Sequence, residues 1–101
     1  MKRLFTVTTR MSDKRISFRV DGEVQGVNFR SSTQRQAKTI GITGFVSNAS
    51  DGTVQGEAQG TDDQIMKFVQ YLNKGPSAAS VSGVEHNDIS VKSGESGFNV
   101  K

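Results

Sequence analysis

The chain has 101 residues, the length of one ordinary domain and too short for two. It has no cysteine, which excludes a disulfide scaffold, a thiol nucleophile and cysteine metal sites; a single histidine, His86, excludes multi-histidine sites. Of the net charge of +3, the first thirteen residues carry +2 (Lys2, Arg3 and Arg10 against Asp13), and residues 14–101 hold ten positives against nine negatives, a poor balance for a binder that displaces counterions from nucleic acid.

Residues 1–13 read as a polar arm with one apolar patch, Leu4, Phe5 and Val7. A frayed terminus is the expectation, with an ordered extra strand as the alternative. That patch is too short for a signal segment, and no stretch nears the roughly 20 apolar residues of a membrane span. A soluble cytoplasmic protein is expected, with its domain over residues 14–101.

From Arg15 the pattern sharpens. Ile16, Phe18 and Val20 alternate with Ser17, Arg19 and Asp21, the period of a half-buried strand. Glycines at 22 and 26 then interrupt any regular element. Phe29, Thr33, Ala37 and Ile40 recur at helical spacing, and Gly41 supplies the stop. A second strand over 42–47 meets the turn formers Asn48 to Gly52, and a third over 53–59 comes back as a hairpin. Thr61 and Gln64 have the spacing of a capping box, with Asp62 and Asp63 favouring the positive end of a second helix. Ile65, Phe68, Val69 and Leu72 form its core stripe, and Gly75-Pro76 closes it. A fourth strand is expected within 80–90 and a short last one within 98–101.

The order is βαββαβ plus a terminal strand. Two crossovers joined by a hairpin give an α+β, ferredoxin-like sandwich: an antiparallel sheet with both helices on one face. That arrangement carries many functions and licenses none.

The chemistry concentrates between the first strand and the first helix. A glycine turn there can aim several backbone N–H groups into one hollow at a helix start, which suits a phosphate. Arg30 can fold over the same hollow and grip two phosphate oxygens. The same turn also serves as an ordinary connection, so the loop alone leaves both readings open. His86, in the polar run Glu85-His86-Asn87-Asp88, reads as a surface residue. Asp62 and Asp63 read as helix-end acids rather than a carboxylate pair.

The segment GEVQGVNFR, Gly22 to Arg30, resembles the acylphosphatase signature Gly-x-Val-Gln-Gly-Val-x-Phe-Arg, with all its fixed positions filled. A second block, from Gly44-Phe45-Val46 through Asn48 and Asp51-Gly52-Thr53-Val54 to Gly60, is similar to that family too, as is the ending Gly97 to Lys101. Ser47 departs from the pattern, since the family usually carries a longer, often basic residue there; a lower local charge is the expected effect. The resemblance implies hydrolysis of the carboxyl–phosphate anhydride of a small acyl phosphate, without metal or cofactor. It implies that the amides of Glu23, Val24, Gln25, Gly26 and Val27, with the Arg30 side chain, hold the phosphate. It further implies that Asn48 orients the attacking water. A monomer is expected, with inorganic phosphate as product and competitive inhibitor, and with no nucleic-acid or membrane partner.

Two rival readings rest on the same residues. RNA-recognition domains share the βαββαβ order, and Gly44-Phe45-Val46 faintly matches part of their signature. Here it falls on the second strand, and the third offers no aromatic to stack a base. A domain that only binds is disfavoured by the presence of both Arg30 and Asn48, and a chain ending at Lys101 argues against the remnant of a larger enzyme.

Overall fold

The computed structural model describes residues 13–26, 28–76 and 79–101. The Leu4, Phe5 and Val7 patch and Val27 of the glycine loop lie outside the described residues. The elements are β1 (Asp13–Glu23), α1 (Phe29–Ile40), β2 (Thr43–Asn48), β3 (Val54–Thr61), α2 (Asp62–Lys74), β4 (Ser80–Ile89) and β5 (Phe98–Val100).

β1 extends past its alternating stretch at both ends because it has partners on both sides. Asp13 to Val20 pair antiparallel with Thr61 to Val54 of β3. Arg15 to Glu23 pair antiparallel with Ile89 to Ser80 of β4, with a register shift between Asp21 and Gly22. Gly22 has φ 129°, and a Cβ there would collide with the Ser80 backbone, so that residue has to be glycine. β1 takes in Asp13, the last residue of the expected arm.

The sheet order is β4-β1-β3-β2-β5. Its first four strands are antiparallel neighbours, as expected. The short fifth strand instead runs parallel to β2, pairing Gly44 with Phe98 and Val46 with Val100, which makes the sheet mixed. The chain must travel from the β4 edge to the opposite edge to do this. It crosses the face away from the helices, where Gln59 exchanges two hydrogen bonds with the Lys92 backbone (2.8 and 2.9 Å).

On the other face, Ile16, Phe18 and Val20 of β1 and Val54 and Ala58 of β3 are buried with Phe29 and Ala37 of α1 and Ile65, Phe68 and Leu72 of α2. Phe68 is the hub. It meets Phe18 edge-on at 5.3 Å between centroids and Phe98 of β5 at 5.7 Å. Burying a side chain of this kind stabilises by about 1.5–3 kcal/mol. The capping box forms as expected: Gln64 N donates to Thr61 Oγ1 (3.2 Å) and Thr61 N to Gln64 Oε1 (2.9 Å). Gly41 (φ 97°) ends α1 with its N–H on the Ala37 carbonyl.

Arg15 breaks the outward-polar rule. It points away from the helices yet is only 2% exposed. The crossing segment covers it, and its guanidinium pairs with Glu95 (2.8 Å) and Glu57 (2.8 Å) and donates to Gln59 (3.0 Å). A buried charge has to be paired in this way to be tolerated.

Candidate phosphate-binding site

Two buried side chains bracket the loop between β1 and α1. Val24 and Phe29 are each 1% exposed, so both ends of the loop are pinned into the core. Between them the backbone turns through left-handed conformations at Gly26 (φ 76°) and Asn28 (φ 60°). Glycine adopts that region freely, and asparagine is among the few other residues that tolerate it. Asn28 is the N-cap of α1, but its side chain makes no cap hydrogen bond, so the first amides of the helix gain no partner from it.

Beside this turn lies a cavity of about 170 Å³, lined among others by Gly26, Asn28, Arg30 and Asn48, with Val24 and Val100 at its walls. A water takes about 30 Å³ of liquid volume, so there is room for a phosphate and an attacking water. Arg30 stands on the first turn of α1. Its Nη1 donates to the backbone oxygen of Lys101 at 3.1 Å, and among the described residues no Asp or Glu side chain pairs with it. Asn48 is the last residue of β2, opposite Val54 in the hairpin.

The hairpin turn beyond Asn48 is tightly built. Asp51 Oδ1 accepts from Thr53 Oγ1 (2.6 Å) and from Thr53 N (3.0 Å). These bonds, helped by Arg19, hold its carboxyl below the ordinary carboxylate range.

Of the residues singled out in the sequence, Val24, Gly26, Arg30 and Asn48 meet at this cavity. Glu23 belongs to β1 and pairs with Ser80 instead of lining it. The Gln25 side chain turns away, toward the hairpin. His86 is exposed on β4, and Asp62 and Asp63 form the first turn of α2. Ser47 donates to the Gln55 carbonyl at 3.4 Å and brings no charge to the site. Among the described residues no three of His, Cys, Asp or Glu converge to hold a metal ion.

Sequence reasoning missed the approach of β5, which brings Val100 and the Lys101 backbone oxygen to the site. The only local signal was the family-like ending. A larger cavity, about 360 Å³, opens on the sheet face away from the helices between Arg19, Phe45 and Glu85. Neither Arg30 nor Asn48 lines it; both line the smaller one.

The family model for acylphosphatase matches residues 16–100. An acylphosphatase from Salinibacter ruber is 38% identical over 90 residues, 89% of this chain and 95% of the relative. One from Pelotomaculum thermopropionicum is 45% identical over 75 residues, 74% of this chain and 82% of the relative. Among solved structures, an acylphosphatase from Coxiella burnetii superposes with a TM-score of 0.87 at 36% identity, covering 95% of this chain and all of its own.

Proposed function

This chain belongs to the acylphosphatase family and is a hydrolase of acyl phosphates, and we propose that it works through Arg30, Asn48 and the loop amides. The observation that carries the proposal is the single cavity shared by Gly26, Arg30 and Asn48, which come from a loop, a helix and a strand.

The phosphoryl group of the substrate lies against the amides of the Glu23–Val27 segment, with the Arg30 guanidinium over two of its oxygens. Among the described residues of that segment, Val24 and Gly26 line the cavity. Asn48 accepts or donates one hydrogen bond to a water and so aims its oxygen at phosphorus, opposite the acyl oxygen. The new P–O bond forms as the bond from phosphorus to the acyl oxygen breaks, and the electron pair leaves on the carboxylate. A carboxylic acid of pKa near ~4 gives a good leaving group, so no general acid is required. A carboxamide is no base near neutral pH, so the water's proton passes to a phosphate oxygen. Positioning and charge stabilisation supply the rate, as the loose transition state of phosphoryl transfer demands.

This reading takes the substrate as a small molecule and the enzyme as a cytoplasmic monomer that needs neither metal nor cofactor. No helix among the described residues is long and apolar enough to cross a membrane. The test is hydrolysis of benzoyl phosphate with and without excess chelator. Turnover is expected in both cases. Loss on chelation, restored by Mg²⁺ or Zn²⁺, would refute the mechanism.

A further inference from the structure

We infer that the side chain of Gln25 is a positioning residue, a strut that sets the distance between the phosphate loop and Asn48. This rests on the proposed site above and adds a role for a side chain that does not line the cavity. The loop and Asn48 belong to separate elements. Pairing between β1 and β3 ends at Val20 and Val54, and Val54 is also the partner of Asn48. Beyond Val20, β1 is paired only with β4, on its far side. The loop therefore leaves the sheet with no ladder hydrogen bond to the hairpin that holds Asn48.

Gln25 spans that gap. Its Nε2 donates to the Ala49 carbonyl at 2.8 Å and to the Thr53 carbonyl at 2.9 Å. Both partners are acceptors, so the amide nitrogen must face them, and both its hydrogens are used. Ala49 follows Asn48 directly, and Thr53 precedes Val54. The same carbonyls already close the turn, accepting from Gly52 N (3.2 Å) and Ala49 N (2.9 Å). Asp51 stiffens it further through Thr53. Gln25 thus braces the loop against a platform that is rigid without it. Among the described residues no other side-chain hydrogen bond joins residues 24–28 to residues 48–53.

The chemistry makes this distance matter. Water and phosphorus must stand about 3–3.5 Å apart and in line, and a 1 Å misplacement can cost about 10²-fold in rate. Phosphate affinity depends on the loop and Arg30, which lie together on one side of the strut. Loosening the strut should therefore slow turnover while sparing phosphate binding.

The experiment compares Gln25→Met, of similar length without donors, with Gln25→Glu, which turns a carboxylate on the two carbonyls. Turnover of benzoyl phosphate and inhibition by inorganic phosphate are measured for each, and for Gln25→Met combined with Asn48→Ala. We expect kcat to fall by about 10–10²-fold in both single variants with the phosphate inhibition constant nearly unchanged. In the double variant we expect little loss beyond Asn48→Ala alone, since a strut with nothing to position has no further effect. Should Gln25→Met not fold, Gln25→Glu is read in the same way and in the same combination. Wild-type kcat in the folded single variants, losses that multiply with Asn48→Ala, or phosphate inhibition lost in step with kcat would overturn the strut alone. Full activity in Asn48→Ala would overturn the site assignment first, and the strut with it.

Discussion

Arg30 Nη1 and the backbone oxygen of Lys101 stand 3.1 Å apart, so the guanidinium over the cavity is steadied by the strand at the opposite end of the chain. One of its five guanidinium N–H donors is spent there, and among the described residues no other hydrogen-bond partner meets the guanidinium. In the proposed mechanism Arg30 therefore meets the phosphate already oriented, in ground and transition states alike.

That difference in roles separates two variants. Asn48→Ala should lose about 10²-fold or more in kcat, the scale of removing one positioned polar group, while still binding phosphate. Arg30→Gln should lose both turnover and phosphate binding, because its contact exists before the transition state. Steady-state kinetics with phosphate inhibition measures both. Small, equal effects would place the site elsewhere.

Phosphate should also stabilise the fold without any substrate. A ligand that binds only the folded chain adds roughly 2.7 kcal/mol at a hundredfold excess over its dissociation constant. For a domain of this size each kcal/mol is worth about 4–8 °C of Tm. Sulfate should act alike, whereas chloride at matched ionic strength should not, since screening is not specific. Arg30→Gln should abolish most of the shift and Asn48→Ala should keep it. Equal shifts with phosphate and chloride in a thermal melt would contradict the cradle.

Acid should weaken the fold through Glu95. Its hydrogen bond and ion pair with Arg15 hold its carboxyl below the usual carboxylate range despite partial burial. A folded value lower than the unfolded one, near ~4.3, contributes stability that is present above that value. It is lost as pH falls through the lower folded value. Glu95→Gln should cost up to about 1.5–3 kcal/mol at pH 7, the range for hydrogen bonds to charged groups. The gap to wild type should close in acid. Denaturant melts across pH check this, and parallel curves would exclude the effect.

Deleting residues 1–12 should leave kcat for benzoyl phosphate unchanged. The family match begins at residue 16, and the residues that line the candidate cavity begin at Val24. A fall in turnover would give the arm a role at the site, and a lower Tm alone would give it a structural one.

Much of the fold was legible in short stretches of sequence. The alternation of Ile16, Phe18 and Val20 against polar neighbours marks β1, and the Thr61–Gln64 pair marks the start of α2. These signals work because strand faces and helix caps are set by residues within a few positions of each other. The loop glycines, Arg30 and Asn48 were visible for a similar reason, as a family-like pattern of residue types. Three features had no such local trace. Arg15 occupies an outward position of β1, where a charged side chain ordinarily meets solvent; it is buried because residues 90–97 cross that face and bring Glu95 to it. Nothing in Phe98 to Val100 says that this strand lies parallel beside β2, and so nothing says that Lys101 reaches Arg30. Gln25 looks like one more loop residue until the hairpin carbonyls arrive beside it. Each depends on which distant segments become neighbours, a choice made by the burial of the whole sheet rather than by any run of residues.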